Sequence, residues 1–204
     1  TDTIPQSHFS KLDDFLARGG NIFIAFNRVE GDFQTSTGKA VNTGLEDWLR
    51  QKGLTVSDNF VIDASCSSVN VQQQQGNFVF SSQVSFPYLP VINRFADNPA
   101  TKGLESVILQ FASPMTFTGD STKRFTPVAF TSEKSGTERA PLYFDVQRQW
   151  TERDFPLSGL VVAGVLEGRL AGNSESRIMV VSDGDFAVTG SRRGSQLPQD
   201  NINL

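Results

Sequence analysis

The chain has little of what most catalytic sites are made from. Its 204 residues include one histidine, His8, and one cysteine, Cys66. A single cysteine excludes an internal disulfide and any metal site built from several cysteines. A hydrolase of the Ser-His-Asp or Cys-His type would have to use His8, which lies in a polar opening stretch, whereas such enzymes hold their base rigidly. The composition therefore argues against these hydrolases.

A surplus of basic residues and long apolar runs are also missing. Eighteen Lys and Arg against 22 Asp and Glu give a net charge of −4. With no basic surplus to neutralise phosphates, nucleic acid is not an expected partner. Apolar runs such as 160–165 fall far short of the roughly 20 residues that span a membrane. We expect a soluble fragment of a longer protein, because the sequence starts just before a helical pattern and ends in a segment typical of a helix lead-in.

The opening of the chain has the pattern of an α/β fold. Residues 6–18 carry apolar side chains at spacings of three and four, which is typical of one face of a helix. Gly19 and Gly20 then predict its end, because glycine adopts the left-handed conformation at little cost. Residues 22–26 are apolar on both faces, which predicts a central, parallel strand. The polar residues 28–41 are expected to form a loop at the end of that strand.

Two further strands are predicted near the end of the chain, at 160–167 and 178–182. Because the connection between them is too short for a parallel crossover, which needs about a dozen residues, the pair is expected to be antiparallel and the sheet mixed. The second strand runs directly into Asp183, Gly184 and Asp185. Ligands in open α/β sheets bind at the carboxyl ends of strands. We expect 178–182 to lie near 22–26 in one sheet.

Residues 64–150 differ in character from both ends. Short strand-like pieces alternate here with turns, and prolines are frequent. Phenylalanine dominates the aromatic set of the chain, with 17 Phe against two Tyr and two Trp. Alternating aromatic residues are typical of strands that pack one face on a core. We predict a β-rich insertion, continuous with the main sheet, inside a single domain spanning residues 1–204.

The first candidate site is the sequence Asp63-x-Ser65-x-Ser67, which follows an apolar segment. It matches the pattern with which von Willebrand A-type domains hold Mg²⁺ through carboxylate and hydroxyl oxygens. In those domains the motif leads into a helix, whereas residues 68–80 have the pattern of a strand and hairpin. Asp and Ser are also common turn formers after a strand. A metal site and a simple turn both remain possible interpretations.

The second candidate site is Asp183-Gly184-Asp185. It resembles the D-x-D motif of haloacid-dehalogenase phosphatases, in which one Asp attacks phosphorus and the next acts as acid and base. Those enzymes have Thr two residues later, where this chain has Ala187, and a Lys-bearing partner motif is not evident. The alternative is a tight turn from strand into loop. Asp183 and Asp185 are therefore candidate binding residues, and we assign no catalytic residue and no cofactor.

Three segments taken together resemble a known family. They are LDDFLARGGNIFIAF (12–26), GLEDWLRQKGLTVSDNFVID (44–63), and RIMVVSDGDFAVTG (177–190) followed by DNINL. On these segments the chain is similar to the extracytoplasmic region of ABC-transporter auxiliary proteins. The best-known members are the gliding-motility-associated auxiliary subunits of Bacteroidetes. The proline-bearing stretch 86–90 also fits the middle of that family.

The resemblance implies a flavodoxin-like or class I glutamine-amidotransferase-like domain, with helices on the faces of a mixed sheet and without the Cys-His site. It also implies membrane anchors outside this fragment, a place at the periplasmic face of the inner membrane, and an ABC permease and ATPase as partners. The family offers no catalytic residues to transfer. We therefore predict a non-catalytic accessory domain that makes contacts through loops 28–41, 63–68 and 183–189. The alternative is a metal-dependent adhesion module that uses Asp63, Ser65 and Ser67.

Overall fold

The computed structural model of the chain describes residues 3–75 and 78–187, with side chains described outside 73–79. Its helices are α1 (Gln6–Ala17), α2 (Leu45–Gln51) and a short 3-10 helix (Glu152–Asp154). Its strands are β1 (Asn21–Ala25), β2 (Val29–Asp32), β3 (Thr37–Ala40), β4 (Leu54–Val56), β5 (Asn59–Asp63), β6 (Cys66–Gln75), β7 (Phe78–Ile92), β8 (Arg94–Phe95), β9 (Val107–Ile108), β10 (Met115–Phe117), β11 (Lys123–Phe130), β12 (Ser135–Arg139), β13 (Leu142–Tyr143), β14 (Val161–Gly168) and β15 (Ser176–Val181).

The largest sheet has five strands in the order β1-β15-β14-β11-β8. Strand β1 pairs with β15 in parallel, from Asn21 opposite Arg177 to Ala25 opposite Val181. Strands β14 and β15 form an antiparallel pair. These findings confirm that the first and last predicted strands share one sheet, and that this sheet is mixed.

The prediction that β1 is a central strand is wrong for the described part of the chain. There it is the terminal strand of the five, next to β15 alone. Ile22 and Ile24 face the helices, and Ile24 is buried. Phe23 points to the other face because strand side chains alternate, and it is 53% exposed. An apolar residue on each face therefore did not require burial on both.

Both α-helices pack on one face of the large sheet. Helix α1 buries Phe9 and Leu16, and it ends where Gly19 takes a φ of +83°, as predicted. Helix α2 places Trp48 against Phe9, with ring centroids 6.1 Å apart. The indole Nε1 of Trp48 donates a hydrogen bond of 3.0 Å to Asp13 Oδ1, which ties the two helices together. In the described residues, no helix has the length and apolar character needed to cross a bilayer.

The mixed α/β class is confirmed, but the strands are divided among several small sheets. Beside the five-stranded sheet lie the pairs β4-β10 and β5-β12 and the triplets β13-β3-β2 and β6-β7-β9. Strands β8 and β11 bring residues of the 64–150 region into the large sheet. Only two segments of the described chain form α-helices, and both pack on the same face of the large sheet. The flavodoxin-like arrangement is accordingly not confirmed.

The 28–41 segment is not the polar loop that its composition suggested. It contains the antiparallel hairpin β2-β3, with Val29 opposite Ala40 and Asp32 opposite Thr37. Asp32 closes the turn, since its Oδ1 accepts a hydrogen bond of 2.7 Å from the Gln34 amide. Val29 anchors the other end because its side chain is fully buried. A short strand needs only one such buried side chain, so composition alone did not reveal it.

A cluster of aromatic side chains fills the space between the small sheets. Strand β5 contributes Phe60 and strand β7 contributes Phe86 and Tyr88, all of them buried. Phe111 and Phe144 complete the buried set. The alternation of Phe86 and Tyr88 along β7 is the pattern expected of a strand with one face on a core. Four of the chain's 17 phenylalanines are buried here.

Candidate functional site

Polar side chains meet where the parallel strands β1 and β15 end. We call Asn27, Ser182, Asp183, Gly184 and Asp185 the strand-end cluster. Asn27 Nδ2 donates a hydrogen bond of 2.8 Å to Asp185 Oδ2, and the Gly184 amide donates one of 2.6 Å to Asn27 Oδ1. The sequence therefore located this edge correctly and placed Asp183 and Asp185 on it. It missed Asn27, whose only signal was its position directly after a predicted strand.

Asp183 is fully buried and both of its carboxylate oxygens are occupied. Oδ2 accepts a hydrogen bond of 2.5 Å from the Gln110 amide, and Oδ1 accepts one of 2.7 Å from the Asp185 amide. The second of these bonds is the local turn that Asp commonly forms after a strand. The first reaches across the molecule and fastens residue 110 to the end of β15.

Ser182 makes a second connection to the same segment. Its Oγ donates a hydrogen bond of 3.1 Å to the Val162 carbonyl and accepts one of 3.2 Å from the Ser113 amide. On its other side, this segment binds β5, since the Ala112 carbonyl accepts a hydrogen bond of 2.8 Å from the Val61 amide. Segment 110–113 thus links the large sheet to β5, and Ser182 and Asp183 hold it in place.

The ionisation of Asp183 is strongly perturbed. Burial, with a smaller contribution from the nearby Asp185 carboxylate, raises the pKa of its carboxyl to about 7, because the hydrogen bonds from the amides of Gln110, Asp185 and Phe186 lower it only in part. A carboxyl group that titrates near neutral pH is a property of many acid and base catalysts. Here the group has no exposed surface. It is therefore closed to a substrate.

The phosphatase interpretation of Asp183 does not fit this geometry. An attacking carboxylate must reach a phosphorus atom from solvent, and Asp183 is sealed behind segment 110–113. Asp185 is partly exposed and accepts its hydrogen bond from Asn27. The tight-turn interpretation agrees with the observed bonds. Residues 188 and 189 of the predicted contact loop lie outside the described residues.

Strained backbone lies beside the strand-end cluster at Phe111. Its φ of 58° is in the left-handed region, which is unusual for a bulky residue and costs on the order of 1–3 kcal/mol. The neighbouring Gln110 amide is bound by Asp183. The amide of Phe111 itself donates a hydrogen bond of 3.1 Å to the Tyr88 carbonyl. The ring stacks on Phe144 at 5.3 Å. Three contacts therefore maintain a conformation that the residue would otherwise avoid.

Asp63 occupies a separate place and has a comparable structural role. Its side chain is fully buried, and Oδ1 accepts hydrogen bonds from the Ser65 amide at 2.8 Å and from Ser132 Oγ at 2.5 Å. Oδ2 accepts one from the Ser132 amide at 2.7 Å. The carboxylate joins the end of β5 to the loop after β11. Asp63 and Asp183 therefore fasten different segments.

The metal-site interpretation of this motif gains no support from the structure. Ser65 Oγ donates to the Val91 carbonyl at 3.3 Å, and Ser67 lies inside strand β6 where von Willebrand A-type domains have a helix. Across residues 3–75 and 78–187, no group of three or more His, Cys, Asp or Glu side chains is placed to hold a metal ion. The hairpin expected after the motif is confirmed, since β6 and β7 pair in antiparallel fashion.

Comparison with known families gives the decisive observation. A family model described as an ABC-type uncharacterized transport system matches residues 1–201. The chain belongs to this family. No curated protein sequence matches it. The match includes segments 12–26, 44–63 and 177–190, on which the resemblance was based, and the family indicates an auxiliary component of an ABC-type transport system.

The first loop region of this transport auxiliary chain is braced by a buried arginine. Arg28 follows β1, and its guanidinium donates to the Val41 carbonyl, to Asn42 Oδ1 at 2.9 Å and to the Val56 carbonyl at 3.4 Å. It also lies 3.8 Å from Glu46 at the start of α2. A buried guanidinium with several acceptors holds its neighbours in one geometry. No pattern in the sequence indicated this role of Arg28.

Replacing Asn27 by aspartate in this auxiliary chain is expected to lower the free energy of unfolding by about 1–3 kcal/mol. The change removes the amide donor that Asp185 accepts at 2.8 Å and puts a second carboxylate against the first. Urea denaturation at neutral pH measures the effect. Asn98→Asp is the matched control, because Asn98 uses only its acceptor oxygen, toward the Ala100 amide. Equal losses in the two variants would contradict the role given to Asn27.

Proposed function

We propose that this chain is a non-catalytic accessory domain of an ABC-type transport system, and that it acts by binding other subunits. The family match over residues 1–201 supports the transport system. A binding role is supported by the position of the two best candidate catalytic groups, the carboxyls of Asp183 and Asp63, which have structural roles inside the domain. Both side chains are fully buried. The carboxylate oxygens of Asp183 accept hydrogen bonds from backbone amides, and those of Asp63 accept them from backbone amides and the Ser132 hydroxyl.

The same bonds give the strand-end loops a fixed shape. Asp183 holds segment 110–113, Asn27 holds the turn at Gly184, and Arg28 braces the start of the β2-β3 hairpin. Loops positioned by a rigid scaffold are common binding surfaces, because little conformational freedom is lost on association. Loops 28–41, 63–68 and 183–187 are therefore the proposed contact surface.

One exposed aromatic residue stands out on this surface. Phe33 is 51% exposed at the tip of the β2-β3 hairpin, and its ring lies 5.4 Å from Phe111 and 5.7 Å from Phe86. An aromatic side chain that is half supported by a core and half open is typical of an interface anchor. We propose that Phe33 contacts the permease.

The finer proposals rest on the resemblance of the three segments. They are that membrane segments outside this chain hold it at the periplasmic face of the inner membrane, and that the permease and its ATPase are its partners. A role in gliding motility and a flavodoxin-like relationship of the fold belong to the same group of proposals. The ATPase would be reached through the permease, because ATP is hydrolysed on the cytoplasmic side.

The test is recovery of partners from native membranes. The tagged full-length protein is extracted in mild detergent and its partners are identified by mass spectrometry. We expect a permease and an ATPase in near-equal amounts, and a lower yield of both with Phe33→Ala. Phe15→Ala is the matched control, since Phe15 is 44% exposed on α1 and its ring lies against Gly20, at the opposite end of β1 from Asn27. Recovery of neither subunit, with the protein still in the membrane fraction, would overturn the proposal.

A further inference from the structure

A long stretch of the chain carries no charge. Residues 64–93 contain no Asp, Glu, Lys, Arg or His, although 20% of the whole sequence is charged. Within this stretch, β6 and β7 pair in antiparallel fashion as the two strands of a hairpin. Exposed strands normally carry charged side chains or prolines that prevent pairing with other chains. The distal part of this hairpin, residues 68–75 and 78–85 of the described chain, has neither, and we call these residues the arm.

The arm has two different faces. Residues directly opposite each other in an antiparallel pair lie on the same face of the sheet. Val69 pairs with Val84, Val71 with Ser82, and Gln73 with Phe80, so the valines and Phe80 share one face. The opposite face is formed by polar, uncharged residues, namely Ser68, Asn70, Gln72, Ser81, Gln83 and Ser85.

The apolar face becomes exposed as the hairpin leaves the body of the protein. Near the base of β7, Phe86 and Tyr88 are 3% and 2% exposed. Further out on the same face, Val84 and Val71 are partly exposed and Phe80 is 54% exposed. A two-stranded hairpin is at best marginally stable in water and gains stability from a further layer on its apolar face. The arm therefore has the character of a surface that another layer covers.

We propose that the arm's apolar face binds the same face of a second copy of this chain. A two-fold interface must be self-complementary, so any charge close to its axis meets a like charge. The arm carries no charge, so two copies of its apolar face meet without like-charge repulsion. The valines and Phe80 of one copy can pack against the same side chains of the second copy, as the inner faces of two packed sheets do. A partner recognised by opposite charge would find nothing on the arm to bind.

The mass of the 204-residue chain in solution, measured by sedimentation equilibrium, is the first test. We expect a dimer that forms between about 1 and about 100 μM, the range of weak protein interfaces. Phe80→Glu and Val71→Lys each place like charges face to face and are expected to weaken association about ten-fold or more. Gln83→Glu adds a charge to the polar face and is expected to leave association within about two-fold, because it lies outside the interface.

Amide hydrogen exchange of the unsubstituted protein is a second test, and its result does not depend on whether a variant folds. The amides of residues 68–72 and 80–85 are expected to exchange more slowly as the concentration rises. A monomer over the whole range, or a dimer unaffected by both face substitutions, would overturn the proposal.

Discussion

Replacing Phe60 by alanine is expected to lower the free energy of unfolding by about 3–5 kcal/mol. Its side chain is fully buried at the centre of the aromatic cluster. Three rings meet it edge to face, those of Tyr88, Phe111 and Phe144, with centroids 5.8–5.9 Å away. Such pairs add to the stabilisation that burial alone provides. Removal of the ring takes away all three contacts at once.

The surroundings of Phe60 are poorly able to close the resulting cavity. The ring lies so near strand β3 that a Cβ built on Gly38 would be 2.6 Å from it. Gly38 is held in register by hydrogen-bonded pairing with Gly31 on one side and Leu142 on the other. A sheet in fixed register cannot move inward without breaking these pairs. The expected loss therefore lies toward the upper part of the range for phenylalanine.

Urea denaturation of Phe60→Ala and of a matched variant measures this loss. Phe23→Ala is the control, since Phe23 is 53% exposed on β1 and its truncation is expected to cost less than about 1 kcal/mol. If the two variants lose the same free energy, the aromatic cluster does not have the central role described for it. Faster amide exchange in β2 and β3 is expected only for Phe60→Ala.

Local periodicity accounts for what the sequence predicted well. The helix that ends at Gly19 and the antiparallel pair β14-β15 each have a pattern contained within a few residues. The parallel neighbours β1 and β15 were predicted because both are short apolar runs that end in polar residues. The edge position of β1 and the hairpin β2-β3 were not, since both depend on which distant segments cover a strand.

The hydrogen-bond partners of the strand-end cluster could not be predicted from the sequence for a related reason. A carboxylate after a strand can bind a ligand, a metal or a backbone amide, and all three look alike in the sequence. The decisive bond joins Asp183 to the backbone amide of Gln110, 73 residues earlier in the chain. Every residue type except proline has a backbone amide, so that partner leaves no signature. The position of the site was predictable, whereas the fastening role of Asp183 was not.

The stability of the protein is expected to contain a component that falls as the pH rises from about 4 to above 7. Asp183 has a pKa of about 7 in the folded chain, against 3.8 as its usual value, because burial outweighs its amide hydrogen bonds. Between these values the folded state holds a proton that the unfolded state has released, so raising the pH favours unfolding. The contribution is complete below about pH 4 and lost above pH 7, and at about 1.4 kcal/mol per pKa unit it amounts to on the order of 4 kcal/mol.

Urea denaturation at several pH values between 4.5 and 8, with Asp183→Asn beside the unchanged protein, isolates this component. The asparagine variant keeps one acceptor oxygen for an amide but cannot ionise, so its stability is expected to lack the fall. Asp185→Asn is the matched control, because it leaves Asp183 in place and should keep the fall. An equal fall in all three proteins would assign it to another group. A fall confined to proteins with Asp183, together with faster exchange of the Gln110 amide above pH 7, would show that the acidic motif after β15 works as an internal fastener.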